Sequence, residues 1–194
     1  SEWGQARRNT LNAHYTDPQI AQAMWGALVD AGFTSGRVLE PGCGSGTFLA
    51  YAPDSAQMVG VELDATTAQI AAALHPDAQI RNEGFETTHV PQQSFAATIG
   101  NVPFGDFRLY DTAHNQGRHS IHNHFIIKAL DLTAPGGYVA VVTSRYTMDS
   151  SDQRARKEIA AAADLVGAHR ADPAGPAAHR GTYPAGRGAA QGPL

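Results

Sequence analysis

The sequence has a single cysteine, Cys43, among its 194 residues. One thiol cannot form a disulfide within the chain, so a disulfide-stapled scaffold is excluded. The sequence also lacks an uninterrupted run of about 18 apolar residues and a charged leader followed by an apolar segment, which a membrane span or a secretion signal requires. We therefore expect no membrane partner and a cytoplasmic location.

Charged residues are scarce, at 16 % of the chain, and the formal net charge is −4. A domain that binds nucleic acid by itself is usually basic. Any contact with nucleic acid must therefore come from a local patch or from another domain. Apolar residues make up 42 % of the chain, which is typical of a globular protein that buries a core of its own.

Short apolar runs alternate with helical patterns along most of the chain. The patterns predict strands at 37–40, 57–62, 78–82, 95–100 and 137–143, and helices at 17–31, 47–52, 65–74, 120–132 and 150–163, with a further strand start at 164–168. This alternation indicates an α/β fold, with a mostly parallel sheet covered by helices on both faces.

The last part of the chain has a different composition. From Ala168 to Leu194, 17 of 27 residues are Ala, Gly or Pro. Such a segment buries too little apolar surface to offset the entropy lost on ordering it. We therefore expect one folded domain over 1–168 and a disordered Ala/Gly/Pro-rich tail over 169–194, whose composition resembles a foreign reading frame or a truncation scar.

A glycine-rich turn, Glu40-Pro41-Gly42-Cys43-Gly44-Ser45-Gly46, joins the first strand to the next helix. Its alternate glycines allow a sharp turn and the close approach of a ligand. A plain strand-to-helix turn is one interpretation. The dinucleotide fingerprint is another, but its third glycine comes one residue later, and Glu40 would repel a pyrophosphate. The carboxylate favours a ligand with a cationic amino group, a property of S-adenosyl-L-methionine.

Two further acidic residues follow neighbouring strands. Glu62 ends the second predicted strand, where a carboxylate can accept hydrogen bonds from both ribose hydroxyls of a nucleoside. Glu83, or the backbone at Gly84 and Phe85, follows the third strand and is a candidate for contact with the adenine of that nucleoside. The alternative for each is an ordinary solvated acid, and Asp64 is interpreted as a helix cap.

The segments 38–48 (VLEPGCGSGTF) and 59–64 (VGVELD) resemble the first two motifs of the class I S-adenosylmethionine-dependent methyltransferases. The resemblance implies a Rossmann-like fold that binds this cofactor through the residues already named: Glu40, Pro41, Gly42, Gly44, Gly46, Glu62 and Glu83. Sheets of this class end with an antiparallel hairpin. The tail offers no last strand for one, so we expect the C-terminal strands to be incomplete.

The motif Asn101-Val102-Pro103-Phe104 closes the fourth predicted strand. Ligands of open α/β sheets lie beyond the carboxyl ends of the strands, which would place Asn101 beside the cofactor. An aromatic amine that donates one N–H to the Asn101 side chain and the other to the Val102 carbonyl is biased towards tetrahedral geometry. Pro103 stiffens the loop and Phe104 offers a flat face to a base. A buried Asn beside a core Phe is the alternative.

This motif resembles the N-P-P-Y/F motif of amino-methyltransferases that act on adenine N6, cytosine N4 or a glutamine amide, with Val102 in place of the first proline. The N-x-P-F form also occurs in ribosomal-RNA adenine dimethylases. Tyr15 and Thr16 lie in a segment similar to the one that closes over the methionine end of the cofactor in DNA adenine methyltransferases of the γ arrangement. Residues 10–166 as a whole resemble the methylase module of large bacterial and phage or plasmid DNA methyltransferase–helicase proteins.

The resemblance implies transfer of a methyl group to the N6 amine of an adenine flipped out of DNA, the reaction of a restriction–modification methyltransferase. DNA would be the partner, bound through a recognition or helicase domain that this chain does not contain. RNA adenine, a protein glutamine amide and a non-catalytic remnant that keeps the cofactor fold are the alternatives. The sequence sets neither a target sequence nor an oligomeric state.

Other polar and aromatic residues admit two interpretations. His119, His122 and His124 do not share one helical face, so we expect no metal site and a local polar role. Phe107 and Tyr110, which follow the motif at 101–104, would either flank a flipped base or pack beneath the loop that carries this motif. The pair at 145–146, an arginine followed by a tyrosine, would contact substrate phosphate or base, or serve packing alone.

Overall fold

The computed structural model describes residues 16–170, so Tyr15 and positions 171–194 of the expected tail lie outside the described residues. The strands are β1 (Gly36–Pro41), β2 (Ala56–Glu62), β3 (Gln79–Asn82), β4 (Phe95–Asn101) and β5 (Thr133–Val142). The helices are α1 (Pro18–Ala31), α2 (Thr47–Ala50), α3 (Ala65–Leu74), α4 (Ile121–Leu132), α5 (Tyr146–Asp149) and α6 (Arg154–Ala162), with one 3₁₀ turn at Phe85–Thr87. Within the described range, no helix has the length and apolarity that a bilayer crossing needs.

The five strands form one parallel sheet in the order β3-β2-β1-β4-β5. The chain first adds β2 and β3 on one side of β1, then crosses over and adds β4 and β5 on the other side. The gap between β1 and β4 is therefore the topological switch point, beyond which open α/β sheets bind ligands. The predicted α/β fold is confirmed.

Hydrophobic clusters cover both faces of the sheet because successive side chains of a strand point to opposite faces. Val38 belongs to the cluster that contains Trp25 and Phe48. Its neighbour Leu39 belongs to the second cluster, which contains Phe125. The Trp25 indole N–H also donates to the Phe48 carbonyl at 2.9 Å, so α1 is fixed to the segment that follows the glycine turn.

Two helices are capped by the aspartate that precedes them, and the predicted cap at Asp64 is confirmed. The Asp17 side chain accepts a hydrogen bond from the N–H of Gln19, with Pro18 as the first helical residue. The Asp64 side chain accepts one from the N–H of Thr67 at 2.8 Å. Both caps satisfy backbone donors that the first turn of a helix leaves without a partner.

Strand β5 begins earlier than predicted. Its pairing with β4 passes from Phe95↔Thr133 to Ala97↔Tyr138, so the chain enters the sheet at the end of α4 and the Pro-Gly-Gly segment lies within the strand. A Cβ at Gly137 would lie 2.6 Å from the Ala96 carbonyl oxygen, so only glycine permits this close passage.

The region after β5 also differs from the prediction. The helix predicted at 150–163 is the shorter α6, preceded by the single turn α5. Residues 164–168 form no strand, and so the expected strand start there is wrong. Among the described residues, β5 is the last strand of the sheet.

A buried polar network fixes the irregular connection between β4 and α4. One oxygen of the Asp111 carboxylate accepts hydrogen bonds from Lys128 Nζ at 2.9 Å and from His124 Nε2 at 3.0 Å. The other accepts from the backbone N–H groups of Ala113 and His114. Lys128 is only 1 % exposed, and its ammonium is tolerated there because it is paired and hydrogen-bonded.

The network changes the pKa values of its members in a consistent way. Burial disfavours ionisation of Asp111, but the hydrogen bonds from Lys128 and His124 outweigh it and lower the pKa of this carboxyl to about 2. Burial lowers the pKa of His124 below its ordinary value, against the attraction of Asp111. The folded protein therefore holds Asp111 ionised and His124 neutral near pH 7.

Trp25→Ala should destabilise the protein by about 3–5 kcal/mol, because it empties a buried site and removes the bond to the Phe48 carbonyl. Val29→Ala on the same helix should cost less than about 0.5 kcal/mol, because Val29 is 50 % exposed. Urea unfolding measures both free energies. Equal losses in the two variants would contradict the assigned burial.

His124→Gln should weaken the pH dependence of stability below pH 6.5. The folded pKa of His124 lies below its unfolded value, so the unfolded chain binds a proton that the folded chain lacks, and stability falls as the pH drops. Glutamine still donates to Asp111 but does not titrate. Unfolding midpoints from pH 5 to pH 7 should therefore converge for the two proteins as the pH falls, whereas parallel curves would refute the burial of a neutral imidazole.

Candidate active site

The glycine turn after β1 lies directly beside the loop after β4. Gly42 adopts a positive φ of 68°, and a Cβ there would lie 4.0 Å from Pro103 Cδ and 3.8 Å from the Phe125 ring. Gly46 has a φ of 92°, and a Cβ there would lie 2.6 Å from the His75 ring. A Cβ at Gly42 would be in ordinary contact, so the positive φ is what favours glycine there, whereas Gly46 also leaves the space that His75 occupies.

His75 is a contact that sequence reasoning missed. Its Nε2 lies 3.1 Å from the Ser45 carbonyl oxygen, so the residue that ends α3 supports the glycine turn. The sequence carries no signal for this contact, because it depends on how two separate loops meet.

Glu62 links the glycine turn to the end of β2. It is 6 % exposed, and its two oxygens accept hydrogen bonds from the N–H of Gly44 at 2.9 Å and from the N–H of Asp64 at 2.8 Å. This burial excludes a solvated strand-end acid. Each carboxylate oxygen keeps a lone pair for a further donor, such as a ribose hydroxyl.

Glu40 lies at the end of β1 and is 3 % exposed. Its Oε2 is buried and has no hydrogen-bond partner among the described residues. Burial raises the pKa of this carboxyl well above its ordinary value, opposed by the backbone N–H groups of Phe48 and Leu49 and reinforced by the charge of Glu62. A cationic amino group would satisfy the free oxygen and favour the ionised form.

Asn101 ends β4 at the same edge of the sheet. Its Nδ2 donates to the Thr16 hydroxyl at 3.2 Å, which places the predicted cofactor segment beside the motif. Its Oδ1 is buried and accepts no hydrogen bond from the described residues. Buried amide oxygens without a donor are uncommon in folded proteins, and the described residues hold a second one, Asn123 Oδ1. Asn101 Oδ1 is the one at the end of β4, where it is able to accept an N–H from a ligand.

The other three residues of the motif are held differently. Val102 is 2 % exposed, and its N–H donates to the Val142 carbonyl at 3.1 Å, which fixes the start of the loop to β5. Pro103 lies against Gly42. Phe104 is 36 % exposed and is therefore no core residue.

Glu83 is the predicted cofactor residue whose side chain is already engaged. Its Oε1 accepts a hydrogen bond from Arg81 Nε at 2.6 Å, with both side chains about 30 % exposed. Its backbone N–H donates to the Glu62 carbonyl at 3.1 Å, which brings the start of the 3₁₀ turn to the same edge. The backbone of this segment, rather than the paired Glu83 carboxylate, is therefore the part that lies at the edge of the site.

The histidine cluster is divided among three partners. His119 lies 2.7 Å from Glu158, His122 lies 3.0 Å from Ser120, and His124 belongs to the Asp111 network. Across residues 16–170, no group of three His, Cys, Asp or Glu residues is arranged to hold a metal ion.

Of the two aromatic residues after the motif, Phe107 packs against the core and Tyr110 is 84 % exposed. Cys43 is buried and packs against Gly60, where a Cβ would lie 2.8 Å from its Sγ.

Comparison with known sequences gives one informative relative. No family model matches the chain. The chain is 30 % identical over 167 residues to Defense against restriction protein B of Escherichia phage P1. The match includes 83 % of this chain but only 7 % of the phage protein, so the chain spans a small fraction of this relative's length.

Comparison with solved structures identifies the fold. A Listeria monocytogenes protein assigned to the class I S-adenosylmethionine-dependent methyltransferases superposes with a TM-score of 0.56 at 15 % identity, over 73 % of this chain and 48 % of that one. TrmN from Thermus thermophilus gives 0.53 at 20 % identity, over 78 % and 43 %. CalS10 from Micromonospora echinaspora, an amino pentose methyltransferase solved with S-adenosylmethionine, gives 0.52 at 17 % identity, over 74 % and 56 %. This chain therefore has the α/β fold of the class I S-adenosylmethionine-dependent methyltransferases.

Proposed function

We propose that the chain is an S-adenosylmethionine-dependent methyltransferase domain whose acceptor is the N6 amine of adenine in DNA. The observation that carries the proposal is the buried Oδ1 of Asn101, which accepts no hydrogen bond within residues 16–170 and lies next to Thr16, at the edge where Gly42 meets Pro103. An acceptor oxygen in that position suits an amine that must be oriented before it reacts.

The residues around the glycine turn fit the cofactor. The free oxygen of Glu40 would hold the cationic amino group, and Glu62 has acceptor capacity left for the ribose. Gly42 and Gly44 form the turn between these two carboxylates. S-adenosylmethionine supplies a methyl group on a sulfonium, which is already activated towards a nucleophile and needs no metal or strong base.

The motif after β4 orients the acceptor. Asn101 Oδ1 accepts one N–H of the exocyclic amine and the Val102 carbonyl accepts the other, which directs the nitrogen lone pair away from both. Phe104 provides a partly exposed aromatic face against which the base stacks. An adenine in a duplex must be flipped out of the helix to reach this edge.

DNA is favoured as the substrate class by the phage relative. That protein is named for defence against restriction, and restriction is directed against DNA. The proposal includes a longer protein in which a helicase or recognition domain binds DNA and selects the target sequence.

Asn101→Ala should lower the rate of methyl transfer by about 100-fold or more, because it removes the acceptor for the amine. Cofactor binding should survive, because within the cofactor segment only the Thr16 hydroxyl loses a hydrogen bond. Transfer of tritiated methyl groups to DNA measures the rate, and calorimetry measures cofactor binding. Gln92→Ala is the matched control, because Gln92 carries an exposed carboxamide near the opposite end of β4. Wild-type rates in the Asn101 variant would refute the proposed site.

The same assay with DNA, RNA and protein as acceptors identifies the substrate class. Transfer to RNA adenine or to a glutamine amide in preference to DNA would overturn the DNA assignment. Cofactor binding without transfer to any of the three would indicate a non-catalytic domain that keeps the cofactor fold.

Glu40→Gln should weaken S-adenosylmethionine binding about tenfold or more, because it removes a charge-assisted hydrogen bond. The raised pKa of Glu40 also means that a cationic ligand displaces a proton on binding. Wild-type affinity should therefore rise with pH through that pKa, and the Gln variant should lose this dependence. Calorimetry in two buffers of different ionisation heat counts the protons, and Asp54→Asn at the far edge is the control.

A further inference from the structure

The chain leaves β5 beside the catalytic motif. Asn101 pairs with Val142 in the sheet, and the Val102 N–H donates to the Val142 carbonyl at 3.1 Å. Arg145 follows Val142 by three residues, which span at most about 11 Å of extended chain. The turn that carries Arg145 therefore lies at the same edge as the motif.

The inner side of this turn is firmly braced. The hydroxyls of Thr143 and Thr147 are hydrogen-bonded at 2.9 Å, and Thr147 is 7 % exposed. The N–H of Tyr146 donates to the Ser144 hydroxyl at 3.3 Å, and the N–H of Thr147 donates to the Ser144 carbonyl at 3.0 Å. The turn is held from within while its outer side chains face solvent.

An exposed arginine–tyrosine pair occupies the outer side. The Arg145 guanidinium lies 5.0 Å above the centre of the Tyr146 ring, and its Nη2 donates to the ring hydroxyl at 3.2 Å. Tyr146 is 55 % exposed. The other described arginine over an aromatic ring is Arg37 in β1, whose guanidinium lies 4.9 Å from the centre of the fully buried ring of Phe95 at the start of β4. Burial of the Phe95 ring explains why Arg37 covers it, but burial does not explain the contact of Arg145 with the exposed Tyr146 ring.

Two more arginines lie on this surface. Arg170 binds Asp149 through two hydrogen bonds of 2.9 and 3.0 Å, and Arg156 Nη1 lies 3.5 Å from the Thr147 carbonyl. Arg145, Arg156 and Arg170 all lie close enough to Asp149 to lower its pKa. Residues 143–170 carry five basic and four acidic side chains, whereas residues 16–103, which contain the glycine turn, carry two basic and nine acidic ones, so basic side chains are concentrated in the segment that forms this surface.

We infer that this arginine surface (Arg145, Tyr146, Arg156 and Arg170) binds the phosphate backbone of the strand that carries the target adenine. Guanidinium groups recognise phosphate, and an exposed ring beneath a guanidinium provides a stacking face for a neighbouring base. The inference rests on the proposed function, because the surface adjoins the motif that would hold that adenine. It also explains how a chain with a net charge of −4 contacts nucleic acid.

The test is binding of a fluorescein-labelled, adenine-containing single-stranded oligonucleotide, followed by anisotropy over a series of salt concentrations. Arg145→Ala should weaken binding roughly fivefold, and the slope of log Kd against log salt should fall by about 0.7 for each lost phosphate contact. Tyr146→Ala should weaken binding by a similar factor with little change in slope, and Tyr146→Phe should restore affinity. Arg37→Ala is the matched control and should bind as the wild type does.

Wild-type affinity and slope in the Arg145 variant would overturn the inference, as would no binding by the wild-type protein or an equal loss in the Arg37 variant. Displacement of the oligonucleotide by polyglutamate of the same length would also overturn it, because the surface would then bind any polyanion. Methyl transfer by the same proteins distinguishes failure of the proposed function from failure of the inferred phosphate-binding surface. Arg145-dependent binding without transfer to DNA would contradict the proposed function alone, and transfer with unaltered binding in the Arg145 variant would contradict the inference alone.

Discussion

The parallel pairing of β1 with β4 is the constraint on which the site depends. The pairs Val38↔Ala97 and Leu39↔Thr98 bring the ends of both strands to one edge of the sheet. A shift of one residue would turn each side chain of β4, including that of Asn101, to the opposite face of the sheet. With the observed register, the turn at Gly42 lies against Pro103, and the two predicted halves of the site become one.

Two pairs of buried polar residues differ in whether their side-chain atoms have hydrogen-bond partners. Asp111 and Lys128 are buried, but every oxygen of Asp111 and the ammonium of Lys128 have hydrogen-bond partners, as expected where charges stabilise a loop. Glu40 Oε2 and Asn101 Oδ1 are equally buried and have none within the described residues. Leaving an acceptor unsatisfied costs free energy, which a ligand with donors at both positions would recover. The two free oxygens thus lie where a cationic amino group and an aromatic amine are proposed to bind.

Much of the fold was predictable, because it follows from local patterns. The cap at Asp64 and the helical pattern that follows it defined α3 to the residue, and short apolar runs defined β1 and β2 to within a residue at each end. The start of β5 was mispredicted because a Pro-Gly-Gly segment ordinarily marks a turn, whereas here an irregular pairing carries it into the sheet. Among the site residues, Glu40 and Glu62 could be predicted from their positions at the ends of two strands. The hydrogen bond from the Gly44 N–H to Glu62 could not, because it depends on the path of two loops.

The sequence by itself determined the order of strands and helices, the glycine turn after β1 and the position of Asn101 at the end of β4. These features depend on hydrophobic periodicity, caps and glycines, which act over a few residues. Only the tertiary structure decided that Thr16 meets Asn101 across 85 residues and that His75 supports the glycine turn. Those contacts depend on strand order and register, which are set by packing of distant segments and leave no local mark in the chain.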